Sequence, residues 1–373
     1  MRVLHIFNEI NFSGAEIMYA NAAGLFQQKG VELFALSTGA NEGNFVHRFR
    51  EAGIRVAHKP FRRRSLNPFY IWQYGRDICT FIRENRIDVI HIHRSNVFWY
   101  FSGFGRLTRR RSVMTLHNVF KAKKTTWLLH YLSRLTARKW FGLTFQSISR
   151  SVHDNERDYF KNPTVWINNW FDPERFFPAT GPAEKLAARR QIGVAGDAFV
   201  VIAVGRCTEI KNHADIIKAV AEVKEVPPLV LVHLGSGHLE SAEKQLAADL
   251  GIDARVAFQG NRNDVREHLI AADLHVMSSS TEGAPIAALE AMACRLPNIL
   301  YDNPGMRDLI RNEDTGLLIK PGYRELAESI RRFVKDPGLC AEKGAGALAY
   351  VRSEHGRENC VNQIIQLYKA NPI

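Results

Sequence analysis

Two glutamates in one short segment offer the most specific chemistry in this sequence. Glu282 and Glu290 are eight positions apart, and Gly283 and Pro285 lie between them. Pro285 suits the first position of a helix, where its missing N–H costs nothing, and residues 286–294 are strongly helix-forming. We therefore expect Glu282 in a loop and Glu290 in the second turn of the following helix. Because helix N-termini bind anions and carboxylates accept hydrogen bonds from hydroxyls, the segment predicts a site for a sugar nucleotide.

A basic loop supplies the complementary charge. Arg206 and Lys211 follow a predicted buried strand, and Gly205 in front of them allows close approach of the backbone. The two cations could converge on one doubly charged group, and a diphosphate is the obvious candidate because arginine binds it bidentately. Two solvated cations at the end of a strand explain the same residues, so the loop alone does not decide between these interpretations.

Two glycine motifs are ambiguous when taken alone. Residues 235–237 read Gly-Ser-Gly where a strand turns into a helix, but residue 240 is Glu, so the dinucleotide-binding pattern is incomplete. Gly14 lies at the predicted start of the first helix, where a phosphate or sugar could approach the backbone. A helix N-cap formed by Ser13, with Glu16 completing a capping box, accounts for the same residues.

Three histidines lie at predicted strand ends. His117 ends one strand, and His91 and His93 end another, at the carboxyl edge where parallel sheets bind ligands. No third ligand lies at a useful spacing, no D-x-D motif is present, and the five cysteines form no C-x-x-C pair. We therefore expect no metal site and no disulfide framework.

The elements that must position these residues alternate between strands and helices. In the first half, strands are predicted at 3–7, 33–37, 54–58, 89–93, 113–117, 143–147 and 165–168, with helices that include 15–28, 44–52, 68–84 and 126–140. In the second half, strands are predicted at 198–204, 229–234, 256–259, 274–278, 298–301 and 316–319, with helices at 213–223, at 238–250 and after Pro285. Continuous apolar strands that alternate with helices indicate parallel sheets covered on both faces.

A segment rich in proline and turn-forming residues, 172–182, separates the two series and is the predicted linker. The expected fold is therefore α/β, with two Rossmann-like domains at 1–175 and 176–355 that face a central cleft. A C-terminal helix at 356–373 is expected to pack back on the first domain.

The charge of the chain is concentrated in its first half. Of the net +12, residues 1–175 contribute 27 Lys and Arg against 13 Asp and Glu, whereas residues 176–373 contribute 23 against 25. Aromatic residues are interleaved with the cations between residues 55 and 139, with dense basic points at 62–64, 109–111 and 121–124. This pattern predicts contact with an anionic membrane surface, although core aromatics beside solvated cations remain an alternative. No motif supports binding to nucleic acid.

No apolar run reaches the roughly 20 residues of a membrane span, and the N-terminus has no signal-peptide pattern. We therefore expect a cytoplasmic protein that is peripheral on the inner face of the cytoplasmic membrane.

Three sequence motifs, in this order along the chain, resemble those of a known family. They are G-R-x(4)-K at 205–211, G-x-G at 235–237 and E-G-x-P-x(4)-E-A-M-A at 282–293. With them the sequence resembles the GT-B glycosyltransferases, and specifically the retaining, group 1 type of glycosyltransferase family 4. It departs from the family at Asn212, Arg295 and Trp170, where glycine is usual, and at Ser13, which replaces the first glycine of the first-helix motif.

The resemblance implies roles for individual residues. The implied donor site consists of Gly14, Gly205, Arg206, Lys211, Gly235, Arg262, Glu282, Gly283, Ala284, Pro285, Ile286 and Glu290. Within it, Arg206 and Lys211 neutralise the diphosphate, and Glu282 binds hydroxyls of the donor sugar. Backbone N–H groups near 284–286 contact phosphate.

Glu290 is implied to bind the ribose hydroxyls, with Arg262 near the base. Gly14 and His117 close over the diphosphate and the sugar from the N-terminal domain. The implied catalytic residues are Glu282, His117, Arg206 and Lys211.

The implied reaction moves a sugar, with retention of configuration, from a nucleotide-sugar donor held by the C-terminal domain to an acceptor held by the N-terminal domain. A UDP-sugar is favoured and a GDP-sugar is second. The acceptor is a saccharide or lipid-linked saccharide in bacterial-type surface polysaccharide or lipopolysaccharide synthesis, and no cofactor or metal is required. A sugar-nucleotide epimerase, a phosphorylase with pyridoxal phosphate, and a non-catalytic sugar-nucleotide-binding module remain alternatives.

Overall fold

The computed structural model describes residues 1–62, 67–224, 228–310 and 313–370 and divides the chain into two units. The first unit comprises Met1–Asn169 and the C-terminal segment from Arg357, and the second comprises Trp170–Gly356. Arg63 and Arg64 of the predicted basic run lie outside the described residues, as do the last three residues of the predicted C-terminal helix.

A parallel sheet forms the centre of the first unit. Its strands are β1 (Arg2–Phe7), β2 (Glu32–Ser37), β3 (Arg55–His58), β4 (Val89–Ile92), β5 (Arg111–Leu116), β6 (Leu143–Ser147) and β7 (Val165–Trp166). They are arranged in the order β3-β2-β1-β4-β5-β6-β7, and every neighbouring pair is parallel. The central strands are almost wholly buried, which explains their continuous apolar sequences.

The described helices of this unit are α1 (Gly14–Gln28), α2 (Val46–Glu51), α3 (Pro68–Glu84), α4 (Phe98–Thr108), α5 (Trp127–Phe141), α6 (Arg150–Asp154) and, from the end of the chain, α14 (Arg357–Lys369). Helix α14 packs against α1, where Lys29 Nζ lies 3.0 Å from Glu358 Oε1. At its other end Arg111 donates a hydrogen bond of 2.6 Å to the carbonyl oxygen of Tyr368. The C-terminal helix is thus an integral part of the first unit.

A second parallel sheet forms the centre of the second unit. Its strands are β8 (Phe199–Val204), β9 (Leu229–Leu234), β10 (Val256–Phe258), β11 (Leu274–Met277), β12 (Asn298–Tyr301) and β13 (Gly316–Ile319). The order is β10-β9-β8-β11-β12-β13, again parallel throughout. The described helices are α7 (Pro182–Gln191), α8 (His213–Glu222), α9 (Glu240–Asp249), α10 (Arg266–Ala271), α11 (Ile286–Ala293), α12 (Tyr323–Lys335) and α13 (Pro337–Glu354).

Both sheets reverse their strand order at one point. In the first unit the reversal lies between β1 and β4, and in the second between β8 and β11. In doubly wound sheets, ligands bind beyond the carboxyl ends of the strands at this switch point. Each unit is therefore Rossmann-like, and the loops after β8 and β11 are the first place to look for a ligand site.

The segment predicted as a linker contributes to the core of the second unit. Phe171 and Phe176 are buried within that core, and Trp170 is also buried. The division between the units falls before Trp170, whereas the predicted boundary follows residue 175. The turn-forming residues of this segment therefore belong to the packed start of the second unit.

Candidate functional site

The loop after β8 carries the predicted basic residues and is held by close backbone packing. Gly205 donates its N–H to the carbonyl oxygen of Leu234 at 2.9 Å. Gly235 has φ of +138°, and a Cβ built there would lie 1.8 Å from the carbonyl oxygen of Gly205. Only glycine fits at position 235, because any side chain would collide with the neighbouring loop. The motif at 235–237 therefore sets how closely the loops after β8 and β9 approach.

Lys211 and Glu282, 71 positions apart, meet at the switch point. Lys211 Nζ lies 2.7 Å from Glu282 Oε1, and both side chains are mostly buried. The hydroxyl of Ser278, which follows β11, donates to the carbonyl oxygens of Lys211 and Asn212 at 3.0 and 2.8 Å. The structure thus places the lysine of one motif directly beside the first glutamate of the other, in a fixed loop conformation.

The neighbouring Arg206 is placed differently. Its side chain is exposed, and no described residue forms a hydrogen bond or ion pair with it. A guanidinium on the same loop as Lys211, without a partner among the described residues, is available to an anionic ligand.

Two of the departures from the family pattern, Asn212 and Arg295, adopt left-handed backbone conformations, with φ of +50° and +63°. Glycine reaches this region without steric cost, whereas other residues are strained there. The family's usual glycines therefore suit these positions, and this chain tolerates some strain at both.

The segment with both glutamates forms a loop and a helix, as predicted, with a shift of one residue. Pro285 is the N-cap of α11, with φ of −72° and ψ of 109°, and the first helical residue is Ile286. The expectation that Pro285 itself begins the helix is wrong by one position, because its extended ψ ends the loop. Gly283 and Ala284 are buried, and Glu282 donates its N–H to the carbonyl oxygen of Pro304 at 3.0 Å. The first N–H groups of α11 have no partner within the helix and remain available to an anion.

Glu290 lies in the second turn of α11, as expected. Burial raises the pKa of Glu290 to about 8, and the nearby Arg175 offsets part of that rise. Near neutral pH the carboxyl group is therefore partly protonated and can both donate and accept hydrogen bonds.

Other predicted residues lie apart from the Lys211–Glu282 pair. Within the described ranges, neither Glu290 nor Arg262 forms a hydrogen bond or ion pair with Lys211 or Glu282. Arg262 is exposed beyond β10, where its guanidinium lies 3.5 Å from the side-chain oxygen of Gln259.

Gly14 is the first residue of α1 in the first unit. The capping box predicted here does not form in the expected way, because the side chain of Ser13 accepts no backbone N–H. Its hydroxyl instead donates to the carboxylate of Glu16, a residue whose pKa is raised by burial. The start of α1 therefore keeps its N-terminal amides free of a side-chain cap.

His117 follows β5 and ends a row of histidines that sequence spacing does not reveal. His93 Nδ1 lies 3.1 Å from His117 Nε2, and His93 Nε2 lies 2.9 Å from His5 Nδ1. Burial lowers the pKa of His117 to about 4 and that of His5 to about 3, so both rings are neutral at pH 7. Since each contact needs one proton, the N–H bonds of the three rings point in one direction along the row.

A fourth histidine, His91, lies beside this row and completes the cluster. His91 is the strand neighbour of His5, and its two ring nitrogens contact the hydroxyls of Tyr368 and Thr115. The signal that could have revealed this cluster is strand order, because β1 and β4 are adjacent, His5 on β1 pairs with His91 on β4, and His93 follows β4 directly.

The basic half of the first unit also exposes apolar side chains. On α5, Leu128, Leu129, Leu132 and Trp140 are 56%, 68%, 41% and 65% exposed, and Lys139 is exposed beside them. We call these residues and the preceding basic segment 121–124 the α5 surface. On α3, Phe69 and Trp72 are exposed as well.

Some of the predicted surface groups are instead part of the core. Phe61, Tyr74 and Phe101 are buried. Arg134 is also buried and forms two hydrogen bonds, of 2.8 and 2.9 Å, with Glu156. The alternative that many aromatics belong to the core is therefore correct for these residues. Within the described residues, every helix is too short or too polar to traverse a bilayer.

Two family models match the chain, one in each half. The model described as Glycosyltransferase Family 4 matches residues 12–175, and the model described as Glycosyl transferases group 1 matches residues 184–347. A putative glycosyltransferase, EpsD of Bacillus subtilis, is 28% identical over 363 residues, which cover 92% of this chain and 91% of the relative.

A further relative and a solved structure extend this similarity. The UDP-Gal:alpha-D-GlcNAc-diphosphoundecaprenol alpha-1,3-galactosyltransferase of Escherichia coli is 28% identical over 306 residues, which cover 78% of this chain and 77% of the relative. The crystal structure of HepE of Anabaena in complex with UDP and glucose aligns with a TM-score of 0.85 at 20% identity, and the alignment covers 100% of both chains. The fold of this chain is that of the GT-B proteins.

Proposed function

This chain belongs to the group 1 glycosyltransferases of family 4, and on that premise we propose that it transfers a sugar from a UDP-sugar, with retention of configuration, to a saccharide or lipid-linked saccharide. A GDP-sugar is the second candidate donor. The pathway that we propose is the synthesis of a bacterial-type surface polysaccharide or lipopolysaccharide.

The observation that carries this proposal is the Lys211–Glu282 pair at the switch point of the second sheet. The two side chains are 2.7 Å apart, and the loops that carry them are fixed by backbone contacts. A cation and a carboxylate at adjacent positions match the two ends of a sugar diphosphate, where phosphate oxygens need positive charge and sugar hydroxyls need acceptors.

The chemistry follows from charge that develops during the reaction. When the bond between the anomeric carbon and the phosphate oxygen breaks, the departing nucleoside diphosphate gains negative charge. We propose that Lys211, the exposed Arg206 and the N-terminal amides of α11 stabilise this charge without a metal ion. Glu282 orients Lys211 through the ion pair and accepts a hydrogen bond from the donor sugar.

We assign the remaining donor contacts to Glu290, Arg262, Gly14 and His117. The partly protonated carboxyl of Glu290 suits the two ribose hydroxyls, which both donate and accept. Arg262 serves the base. If the protons of the histidine row point towards His117, its Nδ1–H is left to donate to the diphosphate or the sugar.

We propose retention because the family that this chain resembles is a retaining one, and we propose attack on the same face because the assigned residues include no distinct carboxylate nucleophile for a covalent intermediate. Each carboxylate of the proposed site already has another role. Glu282 contacts Lys211, and Glu290, which lies on α11, is assigned to the ribose hydroxyls. The acceptor hydroxyl then attacks on the face from which the diphosphate leaves, and an oxygen of that diphosphate takes the hydroxyl proton.

The names of the similar proteins support a uridine nucleotide and a membrane-bound acceptor. One relative uses UDP-Gal and a diphosphoundecaprenol-linked sugar, and the structurally similar HepE binds UDP and glucose. The α5 surface has the mixture of cations and apolar side chains that suits an anionic bilayer. We therefore propose a cytoplasmic enzyme that works on the inner face of the membrane.

Nucleotide binding tests the donor site directly. We expect UDP to raise the melting temperature of the wild-type chain equally with and without Mg²⁺, and GDP to raise it less. Lys211→Ala removes a charge-assisted hydrogen bond and should weaken UDP binding about 10- to 100-fold. Lys335→Ala changes an exposed lysine on α12 of the same unit and is the matched control.

The outcome also separates the alternatives. If no nucleotide shifts the melting temperature, the proposed function is wrong. If UDP-sugar is bound and converted with no acceptor present, the chain is an epimerase or hydrolase instead of a transferase.

A further inference from the structure

Four buried side chains of the second unit direct metal-binding atoms at one another. Cys207 follows β8, His213 begins α8, His233 lies on β9 and Glu243 lies in the first turn of α9. One ligand atom from each residue lies within 4.8 Å of all the others. Each residue is at most 5% exposed. Neither the family motifs nor the proposed donor site uses any of the four.

The distances are close to those of a tetrahedral site. His213 Nδ1 lies 2.9 Å from His233 Nε2 and 3.3 Å from Glu243 Oε1. His233 Nε2 lies 3.8 Å from Glu243 Oε2 and 4.0 Å from Cys207 Sγ. Zinc bonds of about 2.0 to 2.3 Å place tetrahedral ligand atoms roughly 3.3 to 3.8 Å apart. Small movements of these side chains would therefore complete the coordination.

Hydrogen bonds satisfy this group of atoms only in part, since the Cys207 thiol donates to the carbonyl oxygen of Gly235 at 3.8 Å. The two imidazole nitrogens that face each other need one proton between them. If His233 Nε2 carries that proton, it donates to His213 Nδ1, and neither of these two nitrogens donates to Glu243. If His213 carries it, one N–H is shared between His233 and Glu243. Among the described residues, Glu243 Oε2 is buried without a hydrogen-bond partner.

The charges of the group favour a divalent cation. The group consists of one carboxylate, two imidazoles and one thiol, and all four side chains are buried. A dication that displaces the thiol proton would leave the site with no net charge.

We propose that Cys207, His213, His233 and Glu243 bind one zinc ion. A set of one sulfur, two imidazole nitrogens and one carboxylate oxygen suits zinc, and with four protein ligands the site is closed and structural. The ion joins the loop 205–211 to β9 and α9, and this loop also carries Arg206 and Lys211. A cavity of about 380 Å³, lined in part by His213 and Glu243, gives access to the site.

This site is distinct from a metal that would bind the diphosphate. A closed site has no open position for a substrate oxygen, so the zinc holds the loop in place and does not take part in the transfer. Sequence spacing does not show the site, because the ligands lie at 207, 213, 233 and 243 and reach one another only through the order of β8 and β9.

Metal analysis of the full-length chain is the direct test. The protein is purified without a metal-affinity tag, saturated with ZnCl₂, separated from free metal by gel filtration and analysed by mass spectrometry. We expect about one zinc per chain. Zinc at about 100-fold over its dissociation constant should raise the melting temperature of the chelator-treated protein by roughly 5 to 10 °C.

Cobalt substitution and variants identify the ligands. Co²⁺ should give a near-ultraviolet thiolate charge-transfer band in the wild type, and Cys207→Ser should remove that band together with the bound zinc. His233→Gln should also lose the zinc. The control is Cys340→Ser, since Cys340 lies in the same unit outside the cluster, and it should keep both signals.

Two results would overturn the proposal. One is a folded wild-type chain that retains no zinc after saturation, as judged by an unchanged melting temperature and empty metal analysis. The other is zinc that persists in Cys207→Ser and His233→Gln, because the ion would then lie elsewhere. If either variant does not fold, the wild-type cobalt spectrum alone decides whether a thiolate is a ligand. Neither result changes the nucleotide-binding test above.

Discussion

The two units have the same strand order and opposite electrostatic character. The first unit contains 28 Lys and Arg and 12 Asp and Glu, whereas the second contains 22 and 26. Among the described residues, twelve of the sixteen exposed large apolar side chains also belong to the first unit. In the second unit, Lys211 and Glu282 at the switch point are paired with each other, whereas the exposed Arg206 on the same loop has no partner among the described residues.

With the function that we propose, the difference means that one sheet topology serves two kinds of recognition. A small, highly charged ligand needs donors and acceptors that are fixed before it binds. The loops of the second unit, which pack closely at their glycines, provide them. A large anionic surface needs many cations and apolar side chains without a fixed geometry, which the α5 surface provides. At the switch point of the first unit, the buried polar groups are neutral histidines instead of charged residues.

The largest effect should come from Glu282. Glu282→Ala removes the partner of Lys211 and the proposed acceptor for the sugar hydroxyl, so transfer should fall by about 100-fold or more. The assay is sugar transfer from the UDP-sugar to a lipid-linked acceptor, with circular dichroism to confirm the fold. Vesicle binding should be unchanged, because the substitution lies in the second unit. Equal turnover in the variant and the wild type would remove Glu282 from the site.

A smaller effect should follow from changes to the α5 surface. Replacement of Lys121, Lys123 and Lys124 by Ser should weaken binding to anionic vesicles, with each lysine contributing about 1 kcal/mol at low salt. Co-sedimentation with phosphatidylglycerol vesicles measures this effect.

The matched control for the α5 surface is a triple Ser variant at Arg190, Lys320 and Lys335, three exposed cations of the second unit. It should bind vesicles as the wild type does, and both variants should keep the UDP-induced thermal shift. Binding that ignores both the salt concentration and the substitutions would contradict the proposed role of this surface.

The smallest effect concerns the protonation of Glu290. Its pKa is about 8 in the folded chain and near 4.5 when unfolded, so the folded state binds more protons between these values. The stability of the wild type should therefore fall, relative to Glu290→Gln, as the pH rises from 4.5 to 8, and the difference should stay constant above pH 8. We expect melting temperatures that agree at pH 4 and differ by a few degrees at pH 8.5 in favour of the variant. Curves that stay parallel at all pH values would show that the carboxyl group is not desolvated.

The sequence predicts the sheets well because buried parallel strands have continuous apolar runs. The bounds of Leu143–Ser147, Leu229–Leu234, Asn298–Tyr301 and Gly316–Ile319 agree with the prediction at both ends. Helix Pro68–Glu84 also agrees, since Asn67 caps it and proline begins it.

Helices without such signals were harder to predict. The prediction assigns no helix to Pro182–Gln191, because Pro182 closes a turn-rich segment and its role as a first helical residue is not distinct from a turn. The prediction also assigns no helix to Tyr323–Lys335, although its apolar residues recur at helical spacing, because a glycine precedes it instead of a side-chain cap.

The site could be predicted only where its residues belong to local motifs. Arg206 and Glu282 are visible in sequence because each lies next to a glycine, and Lys211 is visible because it belongs to the basic loop that follows a predicted strand. The histidine row and the Cys207 cluster are not visible, because their members come from adjacent strands whose order the sequence does not state. That Lys211 and Glu282 touch, while Arg206 is exposed without a partner among the described residues, also depends on side-chain directions that only the fold determines.

The position of α14 has a consequence for how this chain matures on the ribosome. Synthesis runs from the N-terminus, so all of Trp170–Gly356 emerges before Arg357–Lys369, the helix that packs against α1 and places Tyr368 beside His91. The second unit can therefore complete its fold during translation, whereas the first unit must wait with an exposed apolar face until the later segment appears. The first unit is therefore the first to be synthesised and the last to complete its fold.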